Sequence, residues 1–374
     1  MKPTLSRIAA ISFCLTALLL FLQLPFFFSA GIVKASSNVI YHAYVFGWML
    51  TLFWNRFTIP VRTAINFLLL GIYPAMFVSV LLSLPFLNIH SYLAFVAVPF
   101  IEEASKLLPV AVYLCSLHRT NRWQPSASDG LLLGWLVGAG FALHEDAMSS
   151  IVFGQGWFAS RYSPLLPTIG GSGAAFQPGH AVWTSFAGMA TAFSLLCWKH
   201  RLARAVPILV FALVVLDHVR ADAPASVLFS VRWLPWMLGD GQVTILLFLS
   251  SIAAVFVIEG RLLAKVAQGD WLFSEASLKQ SLKPVSLIST IRQTLNVLHY
   301  QRLRRATHYR LWQWSGNPAF DRALEMGATL LALAEKIGLR LENKFDEVLT
   351  LSIPADRKIY PGGGADQDSS PVAG

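Results

Sequence analysis

The stretch Ser91–Leu117, SYLAFVAVPFIEEASKLLPVAVYLCSL, decides how the chain is read. It has the ~20 predominantly apolar residues that a helix needs to cross a bilayer. Yet Glu102, Glu103 and Lys106 stand in its middle. Hydrocarbon cannot solvate a carboxylate, and insertion scales charge about 2.5–3.5 kcal/mol for one ionised group at mid-helix. Two in a row need a strong reason, and an ionisable residue at membrane depth points first to function.

The rest of the chain fits a membrane setting. Hydrophobic residues make up 55% and charged residues 13%, against about 25% charged in a soluble domain, which excludes an ordinary soluble protein. The net charge is +9. Its excess lies near segment ends and after Glu259, which suits cytoplasmic flanks and not a nucleic-acid partner. Cys14, Cys115 and Cys197 fall on apolar runs without paired spacing. They read as buried thiols, with no disulfide framework or zinc ribbon.

The expected fold is all-α, a polytopic membrane helix bundle of about eight transmembrane helices. The crossings fall at about 8–30, 38–54, 64–87, 91–117, 128–153, 180–198, 205–223 and 240–260. The first has a basic start, Lys2 and Arg7, a long apolar body and no clear cleavage site, and reads as a retained signal anchor. Arg56, Arg62, Arg119, Arg122, Lys199, Arg201, Arg204, Arg261 and Lys265 flank alternate connections. By the positive-inside rule both termini are then cytoplasmic, an N-in/C-in bundle. The domain reading is a transmembrane bundle at 1–260 with a motif-bearing core at 91–223, a cytoplasmic basic, amphipathic helical region at 261–350, and a disordered tail at 351–374. Arg302, Arg304 and Arg305, among Tyr300, Tyr309, Trp312 and Trp314, suit the inner membrane surface or a partner-binding face. The Gly-, Ser- and Pro-rich stretch from Gly154 to Gly179 reads as an extracytoplasmic loop that dips back into the bundle. No internal repeat is evident, against the inverted-repeat pattern of many transporters.

Ionisable groups recur at membrane depth only in the later crossings. After the glutamate pair come His144, Glu145 and Asp146 in GAGFALHEDAM, His180 in QPGHAVWTSFAG, and Asp217, His218, Arg220 and Asp222 in VVLDHVRAD. Helical rise puts Glu103 ~18 Å along its crossing and the other three motifs at compatible depths, so one cavity could hold all four. Glu102 and Lys106 are four apart and can pair on one face, leaving Glu103 rotated away and free to face the cavity. His218 and Asp222 are also four apart, so Asp222 can accept the imidazole proton and fix its tautomer.

This set supports amide hydrolysis. A desolvated carboxylate is a competent general base for water, and imidazoles can donate to the developing oxyanion. The same groups could instead hold one divalent metal that activates the water. A proton- or cation-coupled transporter and a catalytically silent scaffold are the competing classes. Plainer roles exist for each residue. The glutamates could form an ion-pair network with Lys106 and Arg220, Glu145 could sit at a solvated helix end, His180 at the interface, and His218 could be a packing histidine held by Asp222. Trp183, Trp233 and Trp236 read as interface anchors. His144-Glu145 opens an HExxH zinc motif, but Met148 occupies the second histidine position. Gly170–Gly173 has the GxSG form of rhomboid serine proteases but lies in a polar loop and leaves the glutamate pair unexplained.

Taken in order, FIEEASKLLPV, the glutamate after GFALH, PGHAVWTSFAG and LDHVRAD resemble the PrsW family of intramembrane proteases, related to the CAAX prenyl-protease and bacteriocin-processing group. The resemblance covers about 91–223. It implies Glu102, Glu103, Glu145, His180 and His218 as catalytic residues, with Lys106 and Asp222 in support. If a metal is bound, with Zn2+ the candidate ion, Glu103, Glu145, His180 and His218 are its expected ligands. The resemblance implies single-span or multi-span membrane-protein substrates, of which anti-sigma factors are one kind, and a bacterial cytoplasmic membrane. Asp146 and Asp222 stand where the family commonly has asparagine.

Overall fold

The structure, a computed structural model, describes residues 56–87, 92–119, 125–152, 178–197, 200–222 and 233–268, with 302, 303, 305, 306 and 309. The first two expected crossings, nearly all of the 154–179 loop and most of the 261–350 and 351–374 regions lie outside the described residues. The chain divides into two units, Met1–Arg261 and Leu262–Gly374. In the second, Leu303, Ala306 and Tyr309 are buried, and Arg305 donates to the Tyr309 hydroxyl at 3.2 Å.

The described elements are helices, and no strand occurs among the described residues. Helix α1, Val61–Leu70, runs through a π-helical turn, Gly71–Ala75, into α2, Met76–Leu87. Pro74 lies in that turn. Proline has no N–H to continue the helical ladder, and a wider turn accommodates the gap. Then follow α3, Tyr92–Arg119, α4, Ala127–Val152, α5, His180–Leu196, and α6, Arg201–Asp222. A short α7, Trp233–Leu238, and a 3-10 turn, Gly239–Gly241, lead into α8, Gln242–Gln268.

Among the described residues, three stretches are long and apolar enough to cross a membrane: Val61–Phe86, Arg201–Asp222 and Trp233–Arg261. Helices α3, α4, α5 and α6 carry the ionisable groups singled out above, and α4 and α5 are buried along most of their described length. The run Leu131–Val137 on α4 is buried on every side, including Trp135, as expected for a central helix that is apolar all round. Outward faces are apolar too: Phe77 is 63% exposed, Leu108 62% and Ile208 71%. Glu103, Lys106, Asp217 and His218 are buried meanwhile. Apolar surface outside and ionic groups inside is the arrangement of an integral membrane protein.

Two features of α4 place the site. Gly130, Gly134 and Gly138 form a stripe of small residues one turn apart, and a Cβ on any of them would strike the α5 backbone at Gly188, Thr184 or His180. Such stripes let membrane helices approach closely, and this one presses the start of α5, with His180, against α4. At the N-terminus of α4, Ser126 and Asp129 form a reciprocal capping box: the Asp129 N–H donates to Ser126 Oγ at 3.0 Å, and the Ser126 N–H to Asp129 Oδ2 at 2.9 Å. Asp129 also accepts from the Thr58 N–H, the Thr58 hydroxyl and the Ile59 N–H. Beside it, Glu259 of α8 accepts from the N–H and hydroxyl of Ser128. Two buried carboxylates thus anchor the positive end of α4 and tie the segment before α1, and α8, to it.

Candidate active site

The expected residues meet. Glu102 and Glu103 come from α3, Glu145 from α4, His180 from the first residue of α5, and His218 from α6. Lys106 is fully buried between them. Its Nζ bonds Glu103 Oε1 and His180 Nδ1 and lies 4.4 Å from the centre of the Phe141 ring on α4. A lysine ammonium has donors only, so His180 Nδ1 accepts. The His180 proton then sits on Nε2, which donates to Glu145 Oε2 at 2.6 Å.

His218 is held between two acids. Its Nε2 is 3.0 Å from Asp222 Oδ2, the one-turn contact expected from the spacing, and its Nδ1 is 2.9 Å from Glu103 Oε1. The latter contact is close but misaligned, and Nδ1 makes no hydrogen bond. The two imidazoles lie edge to face with centroids 5.0 Å apart. Asp222 and Glu145 keep 40% and 42% of their side chains exposed, so the cluster opens outward at these two carboxylates.

The glutamate pair departs from its expected division of labour. Lys106 pairs with Glu103, three residues back, and not with Glu102. Residues three and four apart share a helix face, so both pairings were open. The choice is made by Lys106 turning toward His180, on the side where Glu103 also lies. Glu103 is therefore the enclosed member, further approached by Thr184 Oγ1 at 3.5 Å. Glu102 is the freer one. Its Oε2 is buried without a hydrogen-bond partner, 3.6 Å from His218 Nε2.

Three further residues support the cluster. Trp183, expected at the interface, is buried, and its ring stacks on His218 with centroids 4.4 Å apart and planes 22° apart. Its indole N–H donates to Asp217 Oδ2 at 2.8 Å, and Arg220 Nε donates to Asp217 Oδ1 at 2.8 Å. Arg220 thus serves Asp217 and takes no part in a network with the glutamate pair. The sequence held a signal for each: Asp217 and Arg220 are three apart, and Trp183 stands one turn after His180. Trp233 and Trp236, 53% and 85% exposed, keep the outward position expected of anchors. His144 packs edge-on against Tyr73 with centroids 5.3 Å apart. Cys115 and Cys197 are free thiols.

One oxygen of Glu102 and one nitrogen each of His180 and His218 lie within 4.8 Å of one another. The carboxylate in this trio is Glu102, where the expected ligand set has Glu103 and Glu145. Those two glutamates are engaged by Lys106 and His180.

Fold and site together define a membrane-embedded helical bundle with a buried acid–imidazole centre. A sequence model described as PrsW family intramembrane metalloprotease matches residues 59–255. That is more than half of the chain, and the chain belongs to the PrsW family. It is an intramembrane protease, and the bilayer and a membrane-protein substrate are its partners. No curated protein and no solved structure matches the chain.

The family name implies a metal, and the residues present fit one. Two imidazoles and a carboxylate are the donor types of catalytic zinc sites, which leave a coordination position open. Glu102 Oε2, buried without a hydrogen bond, is available to such an ion as it stands, whereas His180 would give up its bond to Lys106 or to Glu145.

Proposed function

We propose that the chain hydrolyses a peptide bond of a single-span or multi-span membrane protein at the cluster of Glu102, Glu103, Glu145, His180 and His218, with Lys106 and Asp222 in support. The observation that carries this reading is the convergence of five ionisable side chains from four helices, around a buried carboxylate oxygen that makes no hydrogen bond. In this reading Glu102 takes the proton from the attacking water and passes it to the departing amine as the C–N bond breaks. It is the one carboxylate of the pair with an oxygen uncommitted. Glu103 and Lys106 hold the imidazoles. His218, steadied by Asp222, donates to the oxygen of the scissile carbonyl as negative charge grows on it. Glu145 keeps the His180 proton on Nε2.

A second form of the same reading has a metal, with zinc as the leading choice, held by Glu102, His180 and His218. A bound ion supplies Lewis-acid activation of water and polarisation of the carbonyl. The full reading also includes about eight crossings, both termini in the cytoplasm, residence in a bacterial cytoplasmic membrane, and regulated cleavage of an anti-sigma-type protein.

The test is cleavage of a co-expressed single-span substrate. Glu102→Gln and His218→Ala are expected to insert and fold normally and to stop cleavage. Persistent cleavage by both rejects the site. Activity lost to a chelator and regained with zinc favours the metal form, and full activity in chelator favours the metal-free form.

A further inference from the structure

We infer that Trp183, Asp217 and Arg220 form a positioning chain for His218, with the Trp183 indole as the wall that sets the imidazole plane. This rests on the reading of His218 as catalytic.

Asp217 and His218 are neighbours on α6, so helical geometry turns their side chains about 100° apart. Asp217 does not face the acid–imidazole cluster. It is fully buried and spends both carboxylate oxygens outside it, one on the Trp183 indole N–H and one on Arg220 Nε, each at 2.8 Å. A buried ion pair is expensive to desolvate, and apolar side chains of similar volume often serve stability as well or better. What an apolar pair lacks is direction. The Asp217 carboxylate fixes the indole by its one polar atom, and Arg220 fixes the carboxylate. The indole then lies nearly parallel to the His218 ring, 22° between planes, and edge-on to His180 at 5.4 Å. With its ring plane set, His218 keeps Nδ1 toward Glu103 and Nε2 toward Asp222 and Glu102. Rotation of the imidazole about its Cβ–Cγ bond would break all three contacts, and the stacked indole blocks that rotation.

The anchor depends on a glycine. A Cβ on Gly241 would meet Arg220 Nη2 and Pro178, and Gly241 has φ +93 in a turn whose three residues all have positive φ. Glycine is at home in such a backbone and leaves room for the guanidinium.

The experiment uses the full-length protein in detergent or vesicles with a single-span substrate, and compares Trp183→Phe, Trp183→Leu, Asp217→Asn and the Trp183→Phe/Asp217→Asn double variant. His218→Ala serves as the reference. Partners of catalytic groups of this kind are worth about 10- to 100-fold in activity. Trp183→Phe and Asp217→Asn are each expected to lower kcat per folded molecule about tenfold with KM unchanged, and Asp217→Asn to lower Tm as well, because Arg220 loses its buried charge partner. The double variant is expected to be no worse than either single one, because both break the same hydrogen bond. Trp183→Leu is expected to lose more, with Phe restoring part of it by stacking. Unchanged kcat, multiplicative losses, a rise in KM alone, or a loss that tracks the folded fraction each overturns the inference. The two failures are separable: full activity in His218→Ala removes the catalytic reading itself. An inactive His218→Ala beside fully active Trp183 and Asp217 variants removes only the positioning chain.

Discussion

At the N-terminal end of α4, the Asp129 carboxylate accepts four hydrogen bonds, from the Thr58 N–H and hydroxyl, the Ile59 N–H and the Ser126 N–H. Further along the same helix, about 24 Å by helical rise, Glu145 joins a cluster in which Glu102 Oε2 and His218 Nδ1 make no hydrogen bond. Both ends bury acids in one bundle. A carboxylate has about four acceptor positions, so Asp129 is full, while Glu102 is held back from saturation. A saturated buried acid stabilises the fold and has nothing left to offer a ligand. A buried acid with a free oxygen is a standing cost that the fold tolerates, and such costs gather where chemistry is done. Acidity and burial alone do not tell the two ends apart; the fill of the lone pairs does.

The sharpest way to break this contrast is to make Glu102 neutral. Glu102→Gln keeps the shape and removes the base. Activity on a membrane substrate is expected to fall about 10²- to 10⁴-fold, the usual worth of a general base. Thermal stability should hold or rise, since a buried carboxylate oxygen that makes no hydrogen bond loses its charge. A drop of several degrees in Tm, measured in detergent, would move Glu102 to the same class as Asp129.

Asp129→Ala is the mirror experiment. It strips the cap from α4 and leaves up to four buried donors unsatisfied, each costing about 1–3 kcal/mol. Stability is expected to fall by about 3 kcal/mol or more, with activity per folded molecule retained. Loss of turnover in the surviving folded fraction would show that the two ends are coupled.

What was legible beforehand follows the same division between local and relayed information. Apolar runs with charges embedded in them are local, so the helices at Tyr92–Arg119 and Ala127–Val152 lie close to the crossings read at 91–117 and 128–153. The meeting of Glu102, Glu103, Glu145, His180 and His218 was legible because membrane depth is a simple count along each helix. Which glutamate Lys106 would take was not. Spacing allows both, and the rotation of α3 about its axis is set by α4 and α5. Trp183 lies away from its expected place at the interface for a related reason. An amphipathic ring beside a crossing suits the interface equally well, and only packing reveals that Asp217 of α6 waits for its N–H. Asp129 is unmarked in the sequence because an acid at a helix start resembles an ordinary solvated flank. The close approach of Thr58 and Ile59 that buries it belongs to tertiary structure.

Gly134→Ala probes the seam between the ends. The added methyl meets the Thr184 carbonyl on α5, one turn beyond His180, and backbone must give way. Overpacking of this kind costs about 1–3 kcal/mol. Because the displaced helix carries His180, activity per folded molecule is expected to fall as well, unlike in Asp129→Ala. A stability loss with unchanged turnover would mean that α5 shifts without carrying His180 with it.

The smallest effect tests whether saturation itself is what differs. Thr184 and Ser128 each bring a buried hydroxyl to a buried glutamate. Thr184 Oγ1 is 3.5 Å from Glu103 Oε2, at the limit of a hydrogen bond, and Ser128 Oγ is 2.5 Å from Glu259 Oε2. A bond that long carries little energy, so Thr184→Val is expected to change stability by no more than about 0.5 kcal/mol and turnover by only a few-fold. Ser128→Ala removes a short bond to a charged group and is expected to cost about 1.5–3 kcal/mol. Unfolding of the two variants side by side in the same detergent gives the ratio. If Thr184→Val costs as much as Ser128→Ala, Glu103 is as tightly satisfied as Glu259, and the free lone pairs of the cluster belong to Glu102 alone.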